Sequence, residues 1–139
     1  MSFLLDTNVI SEVSKPSPHP AVVRWLDDNE PQLYLSVMSI AEIRSGIEQL
    51  APGRRKQFLA SQFLENLPLR FGSRVLTVTA EIAQAWGMLA ARSIRDGTNM
   101  GVFDGFYAAT CLTRGLTMAT RNTKHFTPLG VRVFNPWSG

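Results

Sequence analysis

The sequence predicts an α/β domain built on a mostly parallel sheet. Short apolar runs alternate with stretches of helical spacing along the 139 residues, the order that strand–helix–strand crossovers produce. The first run, Phe3-Leu4-Leu5, is apolar at every position, as expected of a parallel strand covered on both faces. No repeat, low-complexity tract or linker interrupts the alternation, so 1–139 reads as a single domain.

Each element follows from local chemistry. Residues 3–6 form the first strand. Residues 8–14 make a short helix, stopped by Lys15-Pro16-Ser17-Pro18. A second helix spans 20–28, carrying Val22, Val23, Trp25 and Leu26, and residues 33–37 make the next strand. Ile40, Ile43, Ile47 and Leu50 mark a helix over 39–50, broken by Ala51-Pro52-Gly53. A helix over 54–67 places Phe58, Leu59, Phe63 and Leu67 on one stripe, and a strand covers 75–78. Thr79 caps a long helix over 80–96, which Gly97 stops. A helix over 104–114 ends at Gly115, and strands at 116–119 and 131–134 complete the order.

Composition narrows the function classes. Hydrophobic residues make up 45% of the chain, which excludes a disordered segment. No apolar run approaches the roughly 20 residues of a membrane span. The N-terminus lacks a basic n-region and a long h-region, so a cytoplasmic protein without membrane attachment is expected. Cys111 is the single cysteine and sits among small residues, as a packed core thiol does. With only His19 and His125 besides, a Cys/His zinc site is not expected. Net charge is +3 and unevenly spread. No acid follows Asp104, whereas Arg114, Arg121, Lys124 and Arg132 do, and Arg54-Arg55-Lys56 forms a second basic knot. Such bias suits a polyanionic partner, although charge runs alone read first as solvated surface.

Open parallel sheets carry their sites at the carboxyl ends of the strands. Asp6 ends the first strand, Glu42 lies in the first turn of the helix after the second, and Asp104 begins the helix before the fourth. Thr120-Arg121-Asn122 follows that fourth strand. Two readings stay open for each acid. Asp6 and Asp104 are good residues for a helix N-terminus, and Ser39-Ile40-Ala41-Glu42 is a capping box. Three carboxylates on one edge, however, repel one another unless a cation intervenes. An oxygen-only set of this kind suits Mg²⁺ or Mn²⁺. Trp25, Trp86, Phe106 and Tyr107 read as packing residues, and Glu81 and Asp96 as helix surface.

Four blocks stand in order along the chain: Leu4-Leu5-Asp6-Thr7-Asn8-Val9-Ile10-Ser11-Glu12, the stretch from Leu35 through Glu42 to Gly46, Asp104-Gly105-Phe106-Tyr107-Ala108-Ala109-Thr110, and the stretch from Leu116 through Thr120 and Asn122 to Phe126. Together they resemble PIN-domain proteins of the VapC type. The closing Val133-Phe134-Asn135-Pro136-Trp137 is similar to the FitB branch. The resemblance implies a three-layer α/β/α sandwich around a central, mostly parallel five-stranded sheet. It implies a Mg²⁺- or Mn²⁺-dependent endoribonuclease, the toxin half of a toxin–antitoxin pair, acting on RNA such as tRNA. By position, Asp6, Glu42 and Asp104 would hold the metal and do the chemistry. Thr120 and Asn122 would fall at the fourth corner, with Asn8 and Arg121 as substrate contacts. The implied partners are a VapB- or FitA-like antitoxin, through which alone operator DNA is reached, and a second copy of the chain as a homodimer.

The sequence departs from the pattern at that fourth corner, where many PIN nucleases carry another acid. The departure favours a one-metal site and keeps a rival in view: a FitB-like partner that acts as corepressor without cleaving RNA. A phosphotransferase using Asp6 as nucleophile is disfavoured, because such enzymes generally want an Asp two residues on and position 8 is Asn.

Overall fold

The computed structural model describes residues 1–138. Five strands form one sheet: β1 (Phe3–Leu5), β2 (Leu33–Ser36), β3 (Val75–Leu76), β4 (Thr117–Ala119) and β5 (Val133–Phe134), in the order β3-β2-β1-β4-β5. Every pairing is parallel. β1 lies at the centre, so its residues are covered from both sides. Phe3 and Leu5 point into one apolar cluster with Val9, Val22, Leu33, Leu35 and Phe63. Leu4 points into the other, with Ile82, Leu89, Tyr107, Ala108 and Met118. The period of two along a strand thus explains a run that is apolar throughout.

Helices α1 (Thr7–Glu12) and α2 (Pro20–Asn29) supply the first cluster. Helices α6 (Ala80–Asp96) and α7 (Val102–Arg114) supply the second. Between them runs α3 (Val37–Glu48), with Met38 against one cluster and Ile43 against the other. This is the three-layer α/β/α arrangement that the resemblance implies. Thr79 caps α6 by accepting the Ile82 N–H at 3.2 Å, and Gly97 and Gly115 end α6 and α7 in the left-handed conformation. Cys111 is buried in the second cluster, and burial pushes its thiol up to about 12.

Three expectations need correction. The helix over 54–67 is instead α4 (Arg54–Leu59), a π-helical segment (Ala60–Asn66) and α5 (Leu67–Phe71). Pro68 cannot donate within a helix interior, and the wider turn before it, with Leu67 N–H donating to Gln62 O, sets it at the start of α5. The third and fifth strands are two residues each rather than four. The third helix begins at Val37, capped by Ser36, whose Oγ accepts the Met38 N–H at 3.0 Å. Ser39 and Glu42 therefore form no capping box, and the Glu42 carboxylate is free for other partners.

Candidate active site

A groove of about 640 Å³ opens at the carboxyl edge of the sheet, beside β1 and α3. Asp6, Glu42 and Asp104 all line it, together with Thr7, Asn8, Asn122 and His125. The three acids come from three elements: Asp6 from the N-cap of α1, Glu42 from α3 and Asp104 from the first turn of α7.

Asp6 is the most firmly held. Its backbone N–H donates to Ala119 O at 2.9 Å, tying it to β4. Oδ1 accepts the Thr7 N–H at 2.7 Å, which is the capping role. Oδ2 accepts the Thr120 hydroxyl at 2.7 Å and the Asn8 carboxamide at 3.3 Å. The capping and site readings of Asp6 are thus compatible, because different oxygens serve them. Burial pushes the Asp6 carboxyl above its ordinary value. The bonds from Thr120 and Thr7 pull it down, and the charges on Asp104 and Glu42 push it up again. Asp104 is likewise raised, first by burial and also by Glu42, with His125 opposing.

Glu42 receives two hydroxyls on one oxygen. Tyr107 donates to Oε1 at 2.7 Å and Thr7 Oγ1 at 3.2 Å. Thr7 Oγ1 also lies 3.5 Å from Asp6 Oδ1, so one hydroxyl bridges two of the acids. Tyr107 is wholly buried, and burial with the neighbouring Glu42 charge drives its own pKa far upward, so it stays a donor. Asp104 faces His125 Nδ1 at 3.3 Å, an ion pair when the imidazole is protonated.

Thr120, expected at a fourth corner, lies buried beneath Asp6 and not on the groove wall, whereas Asn122 lines the groove and donates its N–H to Thr120 Oγ1 at 2.9 Å. Asn8 accepts the Arg121 N–H at 3.4 Å, and the Arg121 guanidinium stacks on Trp137 at 5.0 Å, exposed at the rim. Arg44 is turned away and pairs with Glu48 across an exposed 3.5 Å contact, which contributes little. Glu81 and Asp96 are on the helix surface, as expected. Sequence reasoning missed the site roles of Thr7 and Tyr107 and the partner of His125. No local spacing signals the Tyr107 role, since its partner Glu42 lies 65 residues away.

The donor set fits a hard divalent cation in composition, since it is all oxygen and carries unbalanced negative charge. Among the described residues, no three His, Cys, Asp or Glu side chains are drawn together as a ready-made metal site. The Thr7 hydroxyl is shared by Asp6 and Glu42, and Asp104 instead faces His125.

Comparison with known proteins agrees with the geometry. The PIN domain family model matches residues 3–127. Toxin FitB of Neisseria gonorrhoeae is 37% identical over 135 residues, covering 96% of this chain and 97% of its own. VapC ribonuclease Y4jK of Sinorhizobium fredii is 34% identical over 135 residues, covering 96% of each. Among solved structures, FitAB bound to an IR36 DNA fragment superposes with a TM-score of 0.86 at 36% identity, over 97% of this chain and 95% of that one. The chain belongs to the PIN-domain family, and it matches FitB and VapC relatives over nearly its full length.

Proposed function

We propose that this protein is a Mg²⁺- or Mn²⁺-dependent endoribonuclease, the toxin of a VapBC- or FitAB-type pair. The observation that carries the reading is the convergence of Asp6, Glu42 and Asp104 on one groove, with Asp6 and Asp104 raised by burial and by neighbouring carboxylate charge. Asp6, Glu42 and Asp104 would hold the ion. Once bound, it would acidify a water and balance charge on a phosphate. Thr120 and Asn8 orient Asp6, and Tyr107 and Thr7 orient Glu42. Arg121, braced on Trp137, meets the RNA backbone at the rim. No protein nucleophile is required, and the buried Cys111 thiol is unsuited to be one. A cytoplasmic homodimer restrained by a small DNA-binding antitoxin completes the proposal.

Purified protein incubated with tRNA and Mn²⁺ tests it. Cleavage is expected to stop on adding EDTA and to fall by at least ~10²-fold in Asp6→Asn. A folded Asp6→Asn protein that cuts as fast as the parent would refute the role given to Asp6.

A second reading has its own support. No acid follows Asp104, so the fourth corner carries no carboxylate, only Asn122, and the similar FitAB assembly is bound to DNA. A corepressor would sharpen operator binding by the antitoxin in a gel-shift titration while leaving RNA intact.

A further inference from the structure

Building on the nuclease reading, we propose that a second cavity beside the groove binds the nucleotide adjoining the scissile phosphodiester. Its volume is about 400 Å³, within the range that accommodates a nucleotide-sized ligand. It shares Asp104 and His125 with the acidic groove, so the two cavities meet across that single 3.3 Å contact. A strand leaving the acids over this wall enters the cavity directly.

The lining matches the chemistry of a nucleotide. Lys124 supplies a cation with no carboxylate within 4.0 Å among the described residues. Asp104, on the shared wall, is the only acid in the lining. Asn99 presents an exposed carboxamide, able both to donate and to accept at a base edge. Met100, Pro128 and Leu129 give an apolar surface on which a base can lie. A phosphate beside Lys124 and a base over these side chains use every part of the cavity.

The cavity is also preformed. The buried Ser93 hydroxyl donates to Thr98 O at 3.0 Å, lies 2.9 Å from Thr98 Oγ1 and accepts the Met100 N–H at 3.3 Å. These bonds fix the 98–101 turn that forms one wall. Met100 then packs against Gly105 of α7, where any side chain would collide with it. An ordered wall costs the ligand little to bind.

Fluorescence anisotropy with a labelled single-stranded RNA of about 12 nucleotides, in EDTA so that nothing is cut, reads the proposal directly. Lys124→Ala is expected to weaken binding about fivefold and to reduce the slope of log K against log salt by about 0.7. Lys124→Arg should restore that slope. Asn99→Ala should weaken binding about threefold without altering the slope. Arg92→Ala, remote on α6, should change neither. Parental affinity and slope in Lys124→Ala, with the parent binding normally, overturn the subsite and leave the nuclease reading standing. A parent protein that neither binds RNA nor cuts it with Mn²⁺ overturns both. Complete displacement of the RNA by micromolar 5′-AMP would assign the cavity to a free mononucleotide and overturn the strand assignment.

Discussion

Tyr107 reaches Glu42 from 65 residues away in sequence and holds one carboxylate oxygen by a 2.7 Å bond. Outer donors of this kind fix a carboxylate's orientation and, in the proposed metal site, would leave its other oxygen for the ion. Tyr107→Phe removes the donor and keeps the ring that packs in the core. The expected result is a Mn²⁺ affinity about tenfold lower by calorimetry, with the circular dichroism spectrum retained. Parental affinity in that variant would reduce Tyr107 to a packing residue. At this scale Asp6, Glu42 and Asp104 were legible as candidates because all three fall at the carboxyl edge of the sheet, although each also had a helix-terminus reading and Asp6 does cap α1. The sequence did not make their partners legible. Tyr107 is compatible with a core position in every local respect, and nothing in the spacing of Thr7, Glu42 and Tyr107 announces a shared oxygen. Glu42 was ambiguous for a local reason as well. A serine three residues before a glutamate satisfies the capping pattern whichever residue caps, and only the structure places the cap on Ser36.

At the scale of elements, α6 and α7 pack on each other more extensively than any other two elements, and Gly105 is what permits it. A Cβ there would stand 2.6 Å from Met100 Cε and 2.7 Å from Trp86 Nε1. Met100 is flexible at its tip, but the indole is stacked on Phe106 at 5.2 Å and donates to Val102 O at 3.3 Å. Overpacking of this kind costs roughly 1–3 kcal/mol, and the better helix propensity of alanine returns about 1 kcal/mol. Gly105→Ala is therefore expected to lower the melting temperature, and an increase would show that Trp86 swings aside. Helix existence was legible wherever apolar spacing and a capping residue agreed, as for α6 between Thr79 and Gly97. It failed around Pro68, where periodicity continues through a residue that cannot donate, and the chain resolves the conflict with a wider turn.

For the molecule as a whole, the parallel sheet was legible from alternation, but its strand order was not, since no local signal says that β1 separates β2 from β4. The site places a measurable load on that framework. The Asp6 and Asp104 carboxyls are raised in the fold, so the folded state binds protons more tightly than the unfolded chain. Their contribution to stability therefore falls as pH rises from about 4 through the raised values. Glu12 works in the opposite sense. Lys15 at 2.8 Å and the His19 N–H at 2.9 Å hold it low, so its stabilisation is lost on acidification. Metal-free protein should accordingly melt at a lower temperature as pH climbs above about 4, Asp6→Asn should flatten that decline, and Mn²⁺ should reverse it. A parent whose melting point rises steadily to neutrality without metal would contradict the assigned repulsion. The central place of β1 has one more outcome. Asp6 is made long before its backbone partner Ala119 and its hydroxyl partner Thr120, which lies 114 residues further on. Until those later residues have left the ribosome, Asp6 has neither its backbone anchor nor its hydroxyl donor, so the acidic groove takes shape only once the two distant segments meet.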